Sequence, residues 1–296
     1  MNEARHLTFA LFGNTYQQAK SAAIQQVLQC LQAHGVTIRI EEAYHRFLLK
    51  TGLIDGRHNV ETFSSTDFEA DFAVSMGGDG TLLKTAAQVR DRQIPIVGIN
   101  MGRLGFLADV GTDDVESTVD ALCRGDYAME ERALIHVDTN GEPIEGYECA
   151  LNDVAILKRD TASMISIRTS INGVHLTTYQ ADGLIVSTPT GSTAYSLSNG
   201  GPIIVPQTGV LLLTAVAPHS LNVRPIVIPD SAEIELTVTS RSHTFLVAID
   251  GRSSKLPEGT TLRLTRAPYT VQLVKRSGSR YFSTLREKMM WGADVR

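Results

Sequence analysis

Phe72-Ala73-Val74-Ser75-Met76-Gly77-Gly78-Asp79-Gly80-Thr81-Leu82-Leu83-Lys84-Thr85-Ala86-Ala87 holds, in order, an apolar run, a glycine bed around one carboxylate, and a string of helix formers. Read as strand, turn and helix, it brings backbone N–H groups within reach of phosphate oxygens: glycines leave no side chain in the way and a helix N-terminus favours anions. The acid separates it from an ordinary anion cradle, since a carboxylate repels phosphate unless it handles a metal or a proton. A purely structural Asp79 would be a helix cap. Two adjacent glycines and a third exceed what a cap requires, so the functional reading is preferred. With the helix starting near Thr81, Lys84 falls in its first turn, where an ammonium reaches a phosphate.

Outward from this stretch, the first part of the chain alternates strand and helix patterns. Residues 7–12 read as a buried strand, 19–33 as an amphipathic helix ending near Gly35, 36–40 as a second strand, 72–76 as a third and 94–99 as a fourth. This is the syntax of a Rossmann-like α/β domain with a mostly parallel sheet and ligands at the carboxyl ends of its strands. After a helix at 113–123, short β-branched or alternating runs separated by Gly, Pro, Asn and Asp take over: 135–137, 154–157, 165–171, 174–179, 183–187, 210–215, 234–238, 244–249 and 261–264. They predict an antiparallel β-rich domain. The expected division is an α/β domain over 1–132, a β-rich domain over 133–275, and a return of 276–296, with a helix at 281–291, to the first sheet.

Composition narrows the partners. The 296 residues are 43% hydrophobic and carry a formal charge of -5, with no block of like charge, so nothing draws the chain to nucleic acid or an anionic membrane. Small-molecule partners are expected. Cys30, Cys123 and Cys149 are odd in number and far apart, without a C-x-x-C pair, and read as reduced packing residues. No run approaches the roughly 20 apolar residues of a membrane span, and 7–12 is too short for a signal sequence, so a cytoplasmic location is expected. The sequence has no Walker P-loop, no G-x-G-x-x-G after the first strand and no G-x-S-x-G elbow.

Four further clusters follow strand-like runs. Residues 100–107, with Asn100, Gly102, Gly105 and Phe106, end the fourth strand, and Asn152-Asp153 interrupts an apolar run with an amide and a carboxylate suited to a purine edge and a ribose. Taken alone, the latter reads more readily as an Asx turn between two strands. The run from Asp182 through Thr188-Pro189-Thr190-Gly191-Ser192-Thr193-Ala194-Tyr195 to Ser198 offers hydroxyls, free amides and a stackable ring. Asp250-Gly251-Arg252 is by itself a hairpin turn. His219 and His243 have no partner at metal-ligand spacing and read as surface or core residues.

In this order and across most of the length, these clusters resemble the NAD kinase family. The glycine-acid element alone is shared with diacylglycerol and sphingosine kinases, which lack the Asn-acid pair and the Thr-Pro-Thr-Gly-Ser-Thr-Ala-Tyr run. The resemblance implies an NAD kinase/diacylglycerol kinase-like fold with its active site in a cleft between the domains, in a homodimer or homotetramer. It implies transfer of the ATP γ-phosphoryl group to the 2′-hydroxyl of the adenosine ribose of NAD, with a divalent cation, Mg or Mn, whose ligands are not identified. Asp79 is then the proton acceptor. Gly80, Phe106, Asn152, Asp153, Asp182, Thr193, Ala194, Tyr195 and Ser198 join it in binding NAD, Asp182 sometimes toward a neighbouring subunit. Gly77, Gly78, Gly80, Thr81 and Lys84 serve the ATP phosphates. The pair here is Asn-Asp where Asn-Glu is commoner, and Arg252 stands where many relatives have Gln or His; Asp250 and Arg252 are further candidates for the site, the arginine as a phosphate contact. Two other readings compete: a lipid kinase of the diacylglycerol type, and a non-catalytic NAD(H)-binding regulator.

Overall fold

The computed structural model describes residues 6–15, 21–55, 60–64, 66–102, 105–159, 163–275 and 281–292. The chain divides into two compact units, Met1–Glu131 with Val271–Arg296, and Arg132–Thr270.

In the first unit β1 (Thr8–Gly13), α1 (Ser21–Ala33), β2 (Thr37–Glu41), α2 (Glu42–Lys50), β3 (Glu61–Phe63), β4 (Phe72–Gly77), α3 (Asp79–Val89), β5 (Ile96–Asn100) and α4 (Val115–Arg124) follow one another. The strands pair in parallel in the order β3-β2-β1-β4-β5. The chain therefore winds outward from β1 through β2 to β3 and resumes at β4 on β1's other side. Between β1 and β4 the winding reverses, and a parallel sheet opens its crevice for ligands at that point, beyond the carboxyl ends of the strands. Gly13 pairs with Met76 there.

Apolar periodicity explains the layers. Helix α1 buries Ile24, Val27, Leu28 and Leu31, a spacing that lines one helical face, and α4 buries Val115, Thr118, Val119 and Leu122. Strands β4 and β5 are buried along their whole length, as central parallel strands are. Helix α2, absent from the sequence reading, starts where the Glu41 carboxylate accepts the Tyr44 N–H at 2.8 Å. Its Tyr44 ring, 1% exposed, fills the space beside Gly13, where a Cβ would lie 2.1 Å from the ring. Burial pushes the Tyr44 hydroxyl far above its usual range.

The second unit contains β6 (Ala128–Asp138), which starts within the first unit, β7 (Cys149–Ala150), β8 (Asp153–Lys158), β9 (Ile165–Ile171), β10 (Val174–Ala181), β11 (Gly183–Ser187), the one-turn α5 (Tyr195–Ser198), β12 (Val210–Val216), β13 (Ile226–Pro229), β14 (Ile234–Thr239), β15 (Thr244–Ile249), β16 (Arg252–Pro257) and β17 (Thr261–Lys275). One antiparallel sheet runs β13-β12-β11-β8-β15-β16; β10-β9-β14-β17 form the other. Val154, Ile156, Val186 and Val247 of the first meet Ile165, Ile167, Leu236 and Leu262 of the second in a shared core. The run expected at 261–264 is only the start of β17. That strand continues to Lys275, and its end pairs in parallel with β5 through Leu273 and Ile96. Helix α6 (Tyr281–Met289) follows, with residues 276–280 and 293–296 of the expected returning segment outside the described residues.

Gly13→Ala forces a methyl into the Tyr44 ring, and overpacking of this kind costs about 1–3 kcal/mol. Urea unfolding should show that loss in the first unit, and an unchanged midpoint would mean that the ring yields freely.

Candidate active site

The glycine bed is built by the turn from β4 into α3. Gly78, with extended backbone, caps the helix, and Asp79 is its first residue. The helix thus begins two residues before the expected Thr81, which puts Lys84 in the second turn rather than the first. Gly77 is needed for packing, because a Cβ there would sit 2.1 Å from Thr81 Oγ1. Gly78, Gly80, Thr81 and Lys84 line a cavity of about 510 Å³ that also meets Phe12 and Gly13 at the end of β1.

Asp79 turns away from these glycines. Its Oδ2 accepts the Phe106 N–H at 2.9 Å, and its Oδ1 accepts those of Leu107 at 3.1 Å and Ala108 at 3.0 Å. Three consecutive peptide groups converge because the loop after β5 is braced. Asn100, 5% exposed, accepts the Gly102 N–H at 2.7 Å and donates to the Ala108 carbonyl at 3.2 Å. From the other side Lys275 Nζ meets Asp109 Oδ2 at 2.7 Å and donates to the Leu107 carbonyl at 3.4 Å. Gly105 completes the seat, since a Cβ there would fall 1.9 Å from Asp79 Oδ1. Arg103 and Leu104 of this cluster lie outside the described residues.

Lys288 is a neighbour that the sequence reading missed. Its Nζ stands 3.7 Å from Asp79 Oδ2 and 4.5 Å from the centroid of the Phe106 ring, while the Tyr281 ring lies 6.3 Å from that of Phe106. Helix α6 was legible from its periodicity; its lysine carries no local sign of a partner so distant in sequence.

The second unit has a carboxylate bound in the same fashion. Asp250 and Gly251, with φ of +46° and +80°, form the two-residue turn joining β15 to β16. Asp250 Oδ2 accepts the Leu151 N–H at 2.8 Å, and Oδ1 accepts those of Asn152 at 2.8 Å and Asp153 at 3.2 Å. The hairpin turn therefore holds the Asn-Asp pair. Arg252, considered as a phosphate contact, instead donates through Nη2 to the carbonyls of Tyr147 at 3.1 Å and Cys149 at 3.2 Å.

The hydroxyl-rich run packs onto the same pair. Thr188 Oγ1 donates to the Leu151 carbonyl at 2.6 Å, the Thr188 N–H to that of Asn152 at 2.9 Å, and a Cβ on Gly191 would lie 2.2 Å from the Asn152 oxygen. A short 3₁₀ turn, Thr190–Thr193, leads to Ala194 and then α5, where Tyr195 is 40% exposed and Ser198 is exposed. Arg132, 4% exposed, supports the turn through Thr190 Oγ1 at 3.4 Å. Asp182 is not part of this gathering. It precedes β11, whose far residue Ser187 pairs with Asp153, so about 16 Å of strand separates Asp182 from Ser187; Lys158 Nζ lies 2.7 Å from its Oδ1.

Asp153 is 7% exposed, and burial together with the charge of Asp250 pushes its carboxyl up to about 7. Desolvation also raises Asp250, against the lowering effect of its three N–H donors. Asn152 Oδ1 is a buried acceptor without a hydrogen-bond partner among the described residues. No group of three His, Cys, Asp or Glu side chains suited to holding a metal occurs among the described residues, and no helix there is long and apolar enough to cross a membrane.

Comparison with known proteins places these features in a family. Residues 9–127 match the ATP-NAD kinase N-terminal domain and 151–276 the ATP-NAD kinase C-terminal domain. A NAD kinase of Bacteroides fragilis is 53% identical over 290 residues, 98% of this chain and 100% of that relative. One from Porphyromonas gingivalis is 42% identical over 287 residues, 97% of this chain and 99% of its own. In fold, the chain resembles the yeast NADH kinase complexed with NADH, with a TM-score of 0.87 at 21% identity over 98% of this chain and 89% of that one. It likewise resembles an Archaeoglobus fulgidus NAD kinase in complex with ATP, with a TM-score of 0.74 at 24% identity over 96% and 99%. With a braced carboxylate behind a glycine bed, an Asn-Asp pair clamped by a hairpin turn, and relatives this similar over nearly its whole length, the chain belongs to the NAD kinase family.

Proposed function

We propose that the protein transfers the γ-phosphoryl group of ATP to the 2′-hydroxyl of the adenosine ribose of NAD, giving NADP and ADP. The observation that carries this reading is the seat of Asp79: glycines beside it face a cavity fit for phosphates, while its carboxylate is held on the other side of the loop by three peptide N–H groups. A base fixed beside a phosphate cradle suits a reaction that is mostly positioning and charge neutralisation. The ribose oxygen attacks the γ-phosphorus, the bond to the β,γ-bridging oxygen breaks, and the hydroxyl proton passes to Asp79, whose Oδ2 carries only the Phe106 N–H among hydrogen bonds to described residues.

Gly78, Gly80, Thr81 and Lys84 are read as phosphate contacts, with Gly77 as the packing residue that lets the loop close. Asn152 and Asp153 are read as the grip on NAD: the buried Asn152 Oδ1 needs a donor, which an adenine amino group supplies, and a carboxylate accepts hydroxyl protons. Phe106, Thr193, Ala194, Tyr195 and Ser198 complete the dinucleotide contacts. Asp250 and Arg252 support the pair from behind rather than touching ligand. The distance of Asp182 from the pair favours a role toward a neighbouring subunit, within the dimer or tetramer that the family suggests. The divalent cation, Mg or Mn, fits best as one carried on the donor phosphates, since magnesium keeps water and phosphate ligands rather than an all-protein cage. When bound, it neutralises charge on those phosphates. The cytoplasm, where NAD and ATP meet, is the compartment this reading assigns.

Asp79→Asn should lower NADP formation by about 10²- to 10⁴-fold while calorimetry still finds NAD bound; near-normal turnover would remove the base role. Gly105→Ala should displace the same carboxylate and cut turnover without altering its chemistry, a result checked against NAD affinity in the same preparation. The pH dependence tests Asp153. Unfolded, this group ionises near its ordinary value; folded, it does so at about 7. The native state thus binds more protons between these values and loses stability as pH rises through them, by about 4 kcal/mol for this group alone. Asp153→Asn should flatten that decline in urea unfolding across pH 4–8, and an unaltered slope would show that the proton is held elsewhere.

A further inference from the structure

Helix α6 brings to Asp79 a positive charge that lies outside the phosphate cavity and does not brace the loop. Tyr281, Leu285 and Lys288 follow i, i+4, i+7 spacing, so one face of α6 carries all three. Leu285 is buried and the Tyr281 ring lies beside that of Phe106, which sets this face against the Asp79 loop; Phe282, Arg286 and Glu287 are exposed.

Two lysines of the C-terminal segment approach the loop after β5, and their geometries differ. Lys275 is buried, with Nζ 2.7 Å from Asp109 Oδ2 and a second bond to the Leu107 carbonyl, the arrangement of a brace. The Lys288 side chain is partly exposed. Its Nζ stands 3.7 Å from Asp79 Oδ2, beyond hydrogen-bond length, and 4.5 Å from the centroid of the Phe106 ring. A partly exposed pair at this separation contributes little to stability. It provides instead an ammonium poised between an acid and a ring face, near enough to attract Asp79 and too far to fill the acceptor position on Oδ2. The ring face continues to hold the cation once Asp79 is neutral.

The transfer moves negative charge across this spot. At the start Asp79 is a carboxylate and the ribose hydroxyl is neutral. As the ribose oxygen bonds to phosphorus, its proton goes to Asp79 and the bond to the β,γ-bridging oxygen breaks toward ADP. The phosphoryl group, with its negative oxygens, then sits on the same ribose oxygen that Asp79 has just deprotonated. One ammonium beside Oδ2 thus has a partner at both ends of the step, and an attraction that grows as the phosphoryl group arrives lowers the barrier.

We propose that Lys288 is a catalytic residue of this transfer: its ammonium passes from Asp79 to the oxygens of the arriving phosphoryl group and thereby recognises the 2′-phosphate of the dinucleotide product. The assignment rests on the phosphotransfer reading above. It adds a residue that separates transition state and product from substrate.

The test sets NAD against NADP in calorimetry and follows turnover with ATP and Mg²⁺. Lys288→Met keeps an aliphatic stem over the Phe106 ring and removes the charge. It should leave NAD affinity unaltered, weaken NADP by about 10- to 100-fold, as for a lost charge-assisted hydrogen bond, and lower kcat by a similar factor. Lys288→Arg should recover part of both, and added ethylammonium should raise the turnover of Lys288→Ala. A side chain that only supports Asp79 would, when replaced, weaken both dinucleotides alike and gain nothing from a free amine. That result overturns the proposal, as does an NADP-to-NAD affinity ratio equal to that of the unaltered protein. A variant that folds poorly, seen as a fall in Tm, lowers both affinities together, so their ratio decides. Should the unaltered protein form no NADP, the phosphotransfer reading fails and the catalytic role with it, while the ratio continues to report whether Lys288 meets a 2′-phosphate.

Discussion

One carboxylate receiving three consecutive peptide N–H groups is the constraint on which the first unit's site depends. Asp79 can hold Phe106, Leu107 and Ala108 only if the loop after β5 curls back tightly. That curl in turn requires a glycine at 105, the Asn100 side chain bridging the loop, and room beneath it. The room comes from Gly98, where a Cβ would come within 2.7 Å of the Ala108 Cα. Hydrogen bonds to a charged acceptor contribute about 1.5–3 kcal/mol each, so the convergence fixes the irregular segment from Phe106 to Ala108. A group that must meet a substrate atom within a few tenths of an ångström needs such fixity.

The second unit repeats the device with different material. Asp250 gathers Leu151, Asn152 and Asp153 from the tip of a hairpin, and its left-handed backbone is the conformation that aims the carboxylate back across β8. The gathering has an electrostatic consequence that the first lacks. Asp153 is both a member of the held segment and an acid, so the clamp brings a second carboxylate beside the first and raises it to about 7. The pair is thus poised to change charge near neutrality.

The parallel sheet and the glycine bed were legible because their signals are local: β-branched runs, a glycine triplet, helix formers directly after it. Helix α2 was not, since Glu-Ala-Tyr-His-Arg-Phe-Leu-Leu-Lys buries only Tyr44, Phe47 and Leu48 and reads as polar overall. Strand β16, Arg252–Pro257, is a polar edge whose alternation is masked by serines and a lysine. Within the site, residue types and order pointed to the acid, the Asn-Asp pair and the hydroxyl run. What escaped were relations between distant positions. That Asp250 serves Asn152, that Gly105 makes room for Asp79, and that Lys288 approaches Asp79 are consequences of folding without any short-range signature. The start of α3 was misjudged by two residues because a glycine can cap a helix without a side-chain oxygen to announce it.

The end of the chain belongs to the unit that its beginning builds. Val271–Arg296 supplies the strand end against β5, the Lys275 brace under the Asp79 loop and the Lys288 ammonium beside that acid. During synthesis on the ribosome, residues 1–131 therefore emerge early yet wait for Lys275 and Lys288 before the surroundings of Asp79 are complete. The β-rich unit, encoded without interruption, has no such delay. A nascent chain thus contains every member of the clamp on Asn152 and Asp153, the last of them Asp250, before it contains the Lys275 and Lys288 of the Asp79 seat.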